Sequence, residues 1–125
     1  MTRRLLVLFA HGARDPRWAA PFERLRTIVQ ELTPDSTVAL AYLELMAPNL
    51  PDLVRQAAKG GCKEVTVVPV FFGQGGHVLR DLPPMIAGLR NEFPEMRLKT
   101  ADAVGENADV LNAIARYCVA AQGGD

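Results

Sequence analysis

The feature that most constrains this chain is an alternation repeated four times: a short apolar run, then a segment with apolar residues at helical spacing. Leu5-Leu6-Val7-Leu8-Phe9-Ala10 is apolar without a break, the pattern of a central parallel strand covered on both faces. Phe22, Leu25, Ile28, Val29 and Leu32 then recur at helical spacing, with Pro21 early in that segment. Thr37 to Leu43 reads as the second strand. Leu50, Leu53, Val54 and Ala57 mark the second helix, with Asn49 placed to cap it and Gly60-Gly61 to close it. Glu64 to Val70 is the third strand, where Pro69 weakens pairing towards the end. The third helix is expected to begin between His77 and Leu82 and to run to about Phe93. Pro83 and Pro84 fit only its first turn, where a missing N–H has no partner to lose. Met96 to Ala101 is the fourth strand, and Asn107 to Ala120 the fourth helix, with Leu111, Ile114 and Cys118 turned inward.

This order predicts one α/β domain over residues 1–125. Its four-stranded parallel sheet would have helices on both faces and a flavodoxin-like strand order, 2-1-3-4. In such sheets ligands bind beyond the carboxyl ends of the strands. Composition agrees: 49% apolar and 22% charged residues exclude a disordered chain. Fourteen basic residues balance fourteen acidic ones and no basic run stands out, so no nucleic-acid partner is expected. No apolar stretch approaches the roughly 20 residues needed to cross a bilayer. Arg3-Arg4 and the apolar run after them imitate a leader, but the run is shorter than the about 7–15 residues of such a segment. The expected location is the cytoplasm. Cys62 and Cys118 lack Cys-x-x-Cys spacing, and in a reducing compartment both read as buried small apolar residues.

The chemistry follows from what stands after each strand. His11 follows the first, Glu44 the second, and His77 lies a glycine loop past the third; the chain has no other histidine. All these connections leave a parallel sheet on one edge. Two imidazoles and a carboxylate there form an open N,N,O ligand set for a divalent transition metal. An ordinary imidazole pKa of about 6.5 leaves much of it neutral and able to ligate. If His77 starts its helix, the dipole there further disfavours imidazolium. The bland alternatives are a surface histidine at either place, and a Glu44 that caps a helix or pairs with a base.

Other chemistries fit less well. A dinucleotide fingerprint built on Gly73 and Gly75 would need glycine at Val78, and no phosphate-binding lysine follows, so no nucleotide is expected. Gly75 and Gly76 instead allow close backbone approach to a flat ligand, or simply positive φ angles. Ser36 is the only serine and sits in no nucleophile elbow. A phosphohistidine enzyme would want arginine before its histidine, where Ala10 stands. Arg14, Arg17 and Arg80 are placed to meet ligand carboxylates, and Trp18, Phe71 and Phe72 to form an apolar wall.

The strings that carry these residues resemble a known family. His11-Gly12-Ala13-Arg14-Asp15-Pro16-Arg17-Trp18, then Leu43-Glu44-Leu45 with Pro48, then the run from Pro69 through His77 to Pro83 are similar to three signatures of the small class II chelatases. The nearest type is the short sirohydrochlorin cobaltochelatase of cobalamin biosynthesis. The resemblance implies ATP-independent insertion of a divalent metal into sirohydrochlorin, cobalt first, with iron or nickel as alternatives. It carries metal-binding and catalytic roles onto His11 and His77, and less directly onto Glu44. Arg14, Gly75, Gly76 and Arg80 are the expected tetrapyrrole contacts. Two departures stand out. Ala13 replaces a common serine, and the loop Asp102 to Asn107 lacks a histidine-proline that many relatives carry. A four-stranded domain gives a large macrocycle only one wall, so a homodimer is expected. A non-enzymatic metal or tetrapyrrole carrier remains the alternative from another class.

Overall fold

The computed structural model describes residues 4–72 and 76–123, and of residues 76–79 the backbone alone. Strands β1 (Arg4–Ala10), β2 (Thr37–Tyr42), β3 (Glu64–Pro69) and β4 (Arg97–Thr100) alternate with helices α1 (Ala20–Leu32), α2 (Leu50–Lys59), α3 (Gly76–Glu92) and α4 (Ala108–Gly123). Short 3-10 turns, Pro16–Ala19 and Val104–Glu106, precede α1 and α4. The four strands form one parallel sheet in the order β2-β1-β3-β4, as the sequence predicts. Local chemistry sets the bounds. The Asn49 side chain accepts from the Asp52 N–H at 2.9 Å and caps α2. Pro69 ends β3, although Val70 still donates to the Phe9 carbonyl at 2.8 Å. Leu43 falls just past the end of β2.

The two sheet faces are covered unequally. On one, Leu5, Val7, Phe9, Val65, Val67 and Leu98 pack under α2 and α3, whose Leu50, Val54, Leu82, Ile86 and Leu89 are all buried. On the other, Leu8, Ala10, Val38 and Leu40 pack with Phe22, Leu25 and Val29 of α1. Register makes the difference plain. Leu5, Val65 and Leu98 are lateral neighbours on the first face, and all three are buried. On the second face the row Val38, Leu6, Thr66, Lys99 passes from buried through half-buried to exposed.

Three expectations need correction. Leu111, Ile114 and Cys118 do not point inward: from Leu111 onward every described residue of α4 is exposed. Amphipathic spacing shows that a helix has an apolar side and is silent about what covers it. For the same reason Cys118 is exposed, while Cys62 is half-buried with its thiol 3.4 Å from the Glu64 carbonyl. Pro83 and Pro84 lie inside α3, well past its first turn. Burial of Leu82, Ile86 and Leu89 against the sheet holds the helix through them, so packing overrides local propensity. No helix among the described residues is long and apolar enough to cross a membrane.

Candidate metal site

The backbone of the first two βα connections brings His11 and Glu44 together. Past the end of the β1–β2 pairing the two segments stay bonded, with Leu43 N–H donating to the Ala10 carbonyl at 2.9 Å and Glu44 N–H to the His11 carbonyl at 3.1 Å. This locks the two residues side by side at the carboxyl edge of the sheet. Gly12 completes the lock: its φ is +98°, and a Cβ there would lie 1.8 Å from the Glu44 carbonyl oxygen. Only glycine lets these chains pass so closely. Leu45, directly after Glu44, also takes a left-handed backbone, φ +67°.

The side chains converge in turn. His11 Nε2 lies 3.4 Å from Glu44 Oε2, and the two side chains are 43% and 52% exposed. Roughly half of each is therefore open to a ligand from solvent. Phe71, half-buried, stands edge-on to the His11 ring at 6.2 Å between centroids and edge-on to the buried Phe9 at 5.9 Å. It backs the imidazole with an apolar surface.

The third and fourth loops lie against each other. Gly105 N–H donates to the Phe71 carbonyl at 2.9 Å. A Cβ on Gly105 would lie 1.7 Å from the Phe72 carbonyl oxygen. Phe72 itself is 69% exposed at this edge.

His77 is the second residue of α3, so its backbone stands at the amino end of that helix, on the edge that His11 and Glu44 occupy. Its side chain lies outside the description, as do Gly73, Gln74 and Gly75; Gly76 opens α3. Among the described residues no group of three metal-binding side chains forms, leaving His11 and Glu44 as a pair. Arg14 and Arg80 are exposed. Arg17 is engaged: its guanidinium meets Asp15 with Nη2 to Oδ2 at 2.8 Å and Nε to Oδ1 at 3.1 Å. That contact holds the Asp15 carboxyl below its ordinary value and raises Arg17 above its own. Trp18 forms no wall at the site. It stacks on Phe22 at 4.4 Å and approaches Tyr42 at 6.4 Å within the α1 face. Gly12 and Gly105 are the positions that sequence reasoning passed over. The adjacency of Gly12 to a strand-end histidine was the available signal; nothing in the sequence marks Gly105.

A model of the CbiX family matches residues 5–120. The chain belongs to the CbiX family. Among relatives of this CbiX chain is the sirohydrochlorin cobaltochelatase of Methanopyrus kandleri, 36% identical over 90 residues, covering 72% of this chain and 62% of the relative. The CbiX chain thus spans about three-fifths of the length of the curated relatives it matches, at 62% and 57% for two of them. A crystal structure from Marinobacter aquaeolei, of a protein assigned to cobalamin (vitamin B12) biosynthesis as CbiX, superimposes with a TM-score of 0.85 at 32% identity. It covers 98% of this chain and 99% of that one. The sirohydrochlorin chelatase SirB of Bacillus subtilis in complex with cobalt has the same fold, with a TM-score of 0.71 at 21% identity. It covers 93% of this chain and 49% of that chain.

Proposed function

We propose that this CbiX-family chain inserts a divalent metal, cobalt first, into sirohydrochlorin without nucleotide. The observation that carries the reading is the half-exposed His11–Glu44 pair at 3.4 Å on the ligand-binding edge of the sheet. The relatives named sirohydrochlorin cobaltochelatase support it. The reaction replaces two pyrrole N–H protons by one M²⁺, so the site must hold a cation loosely and accept protons. An open set of few ligands meets the first need, because a closed four-ligand cage would not release the ion. An imidazole beside a carboxylate meets the second: the imidazole takes a pyrrole proton, the carboxylate stabilises the imidazolium, the proton passes to solvent, and the second pyrrole proton leaves by the same route.

In this reading His11, His77 and Glu44 share metal binding and proton transfer. Arg14, Arg80 and the Gly75-Gly76 backbone receive the carboxylate-rimmed macrocycle. The protein works in the cytoplasm, as a homodimer whose second copy closes the cleft over the other face of the ligand.

The test is turnover. Sirohydrochlorin and Co²⁺ with catalytic protein should shift the macrocycle absorption faster than the uncatalysed background. His11→Ala should lower that rate by about 100-fold or more, the range of a lost general base. Glu44→Gln, which keeps shape and removes charge, should lower it by about tenfold or more, as for a group that orients a metal-binding imidazole. A stoichiometric spectral change without acceleration would replace the enzyme by a carrier. Faster turnover with Fe²⁺ or Ni²⁺ than with Co²⁺ would reassign the metal, which ligand type alone does not fix.

A further inference from the structure

Phe71 and Phe72 stand side by side after β3, yet they face different surroundings. Phe72 is 69% exposed and open to a ligand, whereas Phe71 is half-buried and packs against the closed core. The Phe71 ring meets two others at right angles. Phe9, fully buried, lies 5.9 Å away with its plane turned by 87°, and His11 lies 6.2 Å away with its plane turned by 89°. Both contacts have the edge-on geometry that aromatic rings favour. The main chain is held as well. The Phe71 carbonyl accepts from Gly105 N–H at 2.9 Å, and Val70 N–H, just before it, donates to the Phe9 carbonyl at 2.8 Å. Phe71 is thus fixed from the core and from the fourth loop at the point where it meets His11.

We infer that Phe71 is a positioning residue: it sets the plane of the His11 imidazole against Glu44, and Gly105 holds it in place. The inference rests on the metal chemistry proposed above for His11 and says what aims that ring. An imidazole needs such help, because its outer side-chain torsion is broad and roughly two-fold, so no rotamer fixes the plane. The Glu44 carboxylate meets Nε2 at 3.4 Å and restrains one point of the ring. About the line through that contact the ring is still free to turn. A phenyl ring perpendicular to it closes this freedom, and an edge-on pair favours the aligned plane by roughly two- to tenfold. Metal-binding imidazoles commonly take their orientation from a hydrogen bond at the second ring nitrogen. Among the described residues the ring instead meets a carboxylate and a phenyl group, and the phenyl group sets its plane. The fourth loop reaches the site by the same route. Gly105, where a Cβ would lie 1.7 Å from the Phe72 carbonyl oxygen, rests directly on the main chain of the two phenylalanines.

Two substitutions in the full chain test this. Phe71→Leu keeps an apolar side chain and removes the ring, whereas Phe71→Tyr keeps the ring. With sirohydrochlorin and Co²⁺, Phe71→Leu should lower kcat by about tenfold or more and leave the KM for sirohydrochlorin within about twofold. Titration with Co²⁺ alone, followed by visible absorption, should show binding about tenfold weaker in Phe71→Leu. Phe71→Tyr should restore most of the rate and of the affinity. The chain has two histidines, so a His77→Asn sample identifies the His11 ring protons by NMR. In the metal-free chain these should show a nuclear Overhauser contact to the Phe71 ring, and they should shift in Phe71→Leu. Leu89→Ala, buried in the same core cluster, controls for lost stability and should leave cobalt affinity at the parent value. Parental rate and affinity in Phe71→Leu overturn the inference. So does a loss in Phe71→Tyr or Leu89→Ala as large as that in Phe71→Leu, since the ring then serves packing alone. A parent chain that binds cobalt without turnover removes the enzyme reading, and the cobalt titration still decides the role of Phe71. A parent chain that binds no cobalt removes both.

Discussion

The two faces of the sheet make an instructive pair. Under α2 and α3 the core is closed out to the edge strand, with Leu50, Val54, Val65 and Val67 fully buried. Under α1 it closes over β2 and β1 only, and no described residue of α1 is itself buried. The strands are the same on both sides, so the difference lies in the helices that arrive. Two helices and a bidentate ion pair, Arg55 Nε to Glu92 Oε2 at 3.0 Å across α2 and α3, finish the first face. A single helix cannot finish the second. The first face is therefore closed by the chain's own helices, whereas the second stays open over β3 and β4.

Substitutions sharpen that contrast. Leu50→Ala removes a fully buried side chain from the closed face and should cost about 2–5 kcal/mol in urea unfolding. A much smaller loss would mean that α2 packs less tightly than its burial indicates. Asn49→Ala removes the cap of the same helix and should cost about 1 kcal/mol, read from the same melts. Leu111→Ala on α4 should change the unfolding free energy of the isolated chain by less than about 0.5 kcal/mol, as surface substitutions do. If its cost grows with protein concentration, the open face is being covered by another copy. The smallest effect belongs to Asp15, ahead of α1. Its carboxyl is held below 3.8 by Arg17, so its contribution is complete above that pH and is lost as the pH falls through the lower, folded value. Carbon-detected NMR should place its midpoint below 3.8, and Arg17→Ala should return it towards 3.8.

The closed face was the legible one. Continuous apolar strands and the Asn49 cap announce themselves through local composition, and the strand order follows from the βα alternation. The open face was not legible, because Leu111 and Ile114 have the spacing of core residues whether or not their own sheet receives them. Trp18 reads as a ligand wall until its stacking on Phe22 and Tyr42 shows a packing role. At the site, the βα topology alone places His11, Glu44 and His77 on one edge. The contact between His11 and Glu44 depends on a glycine crossing that no pattern of residue types encodes by itself.

That crossing has a consequence for how the site keeps its dimensions. The separation of imidazole and carboxylate is measured off by consecutive main-chain rungs, Leu43 to Ala10 and Glu44 to His11. Side-chain torsion only trims what those rungs dictate. The gap between the two side chains is thus a gauge cut into the sheet itself, and it holds its setting for as long as β1 and the edge strand β2 stay in step.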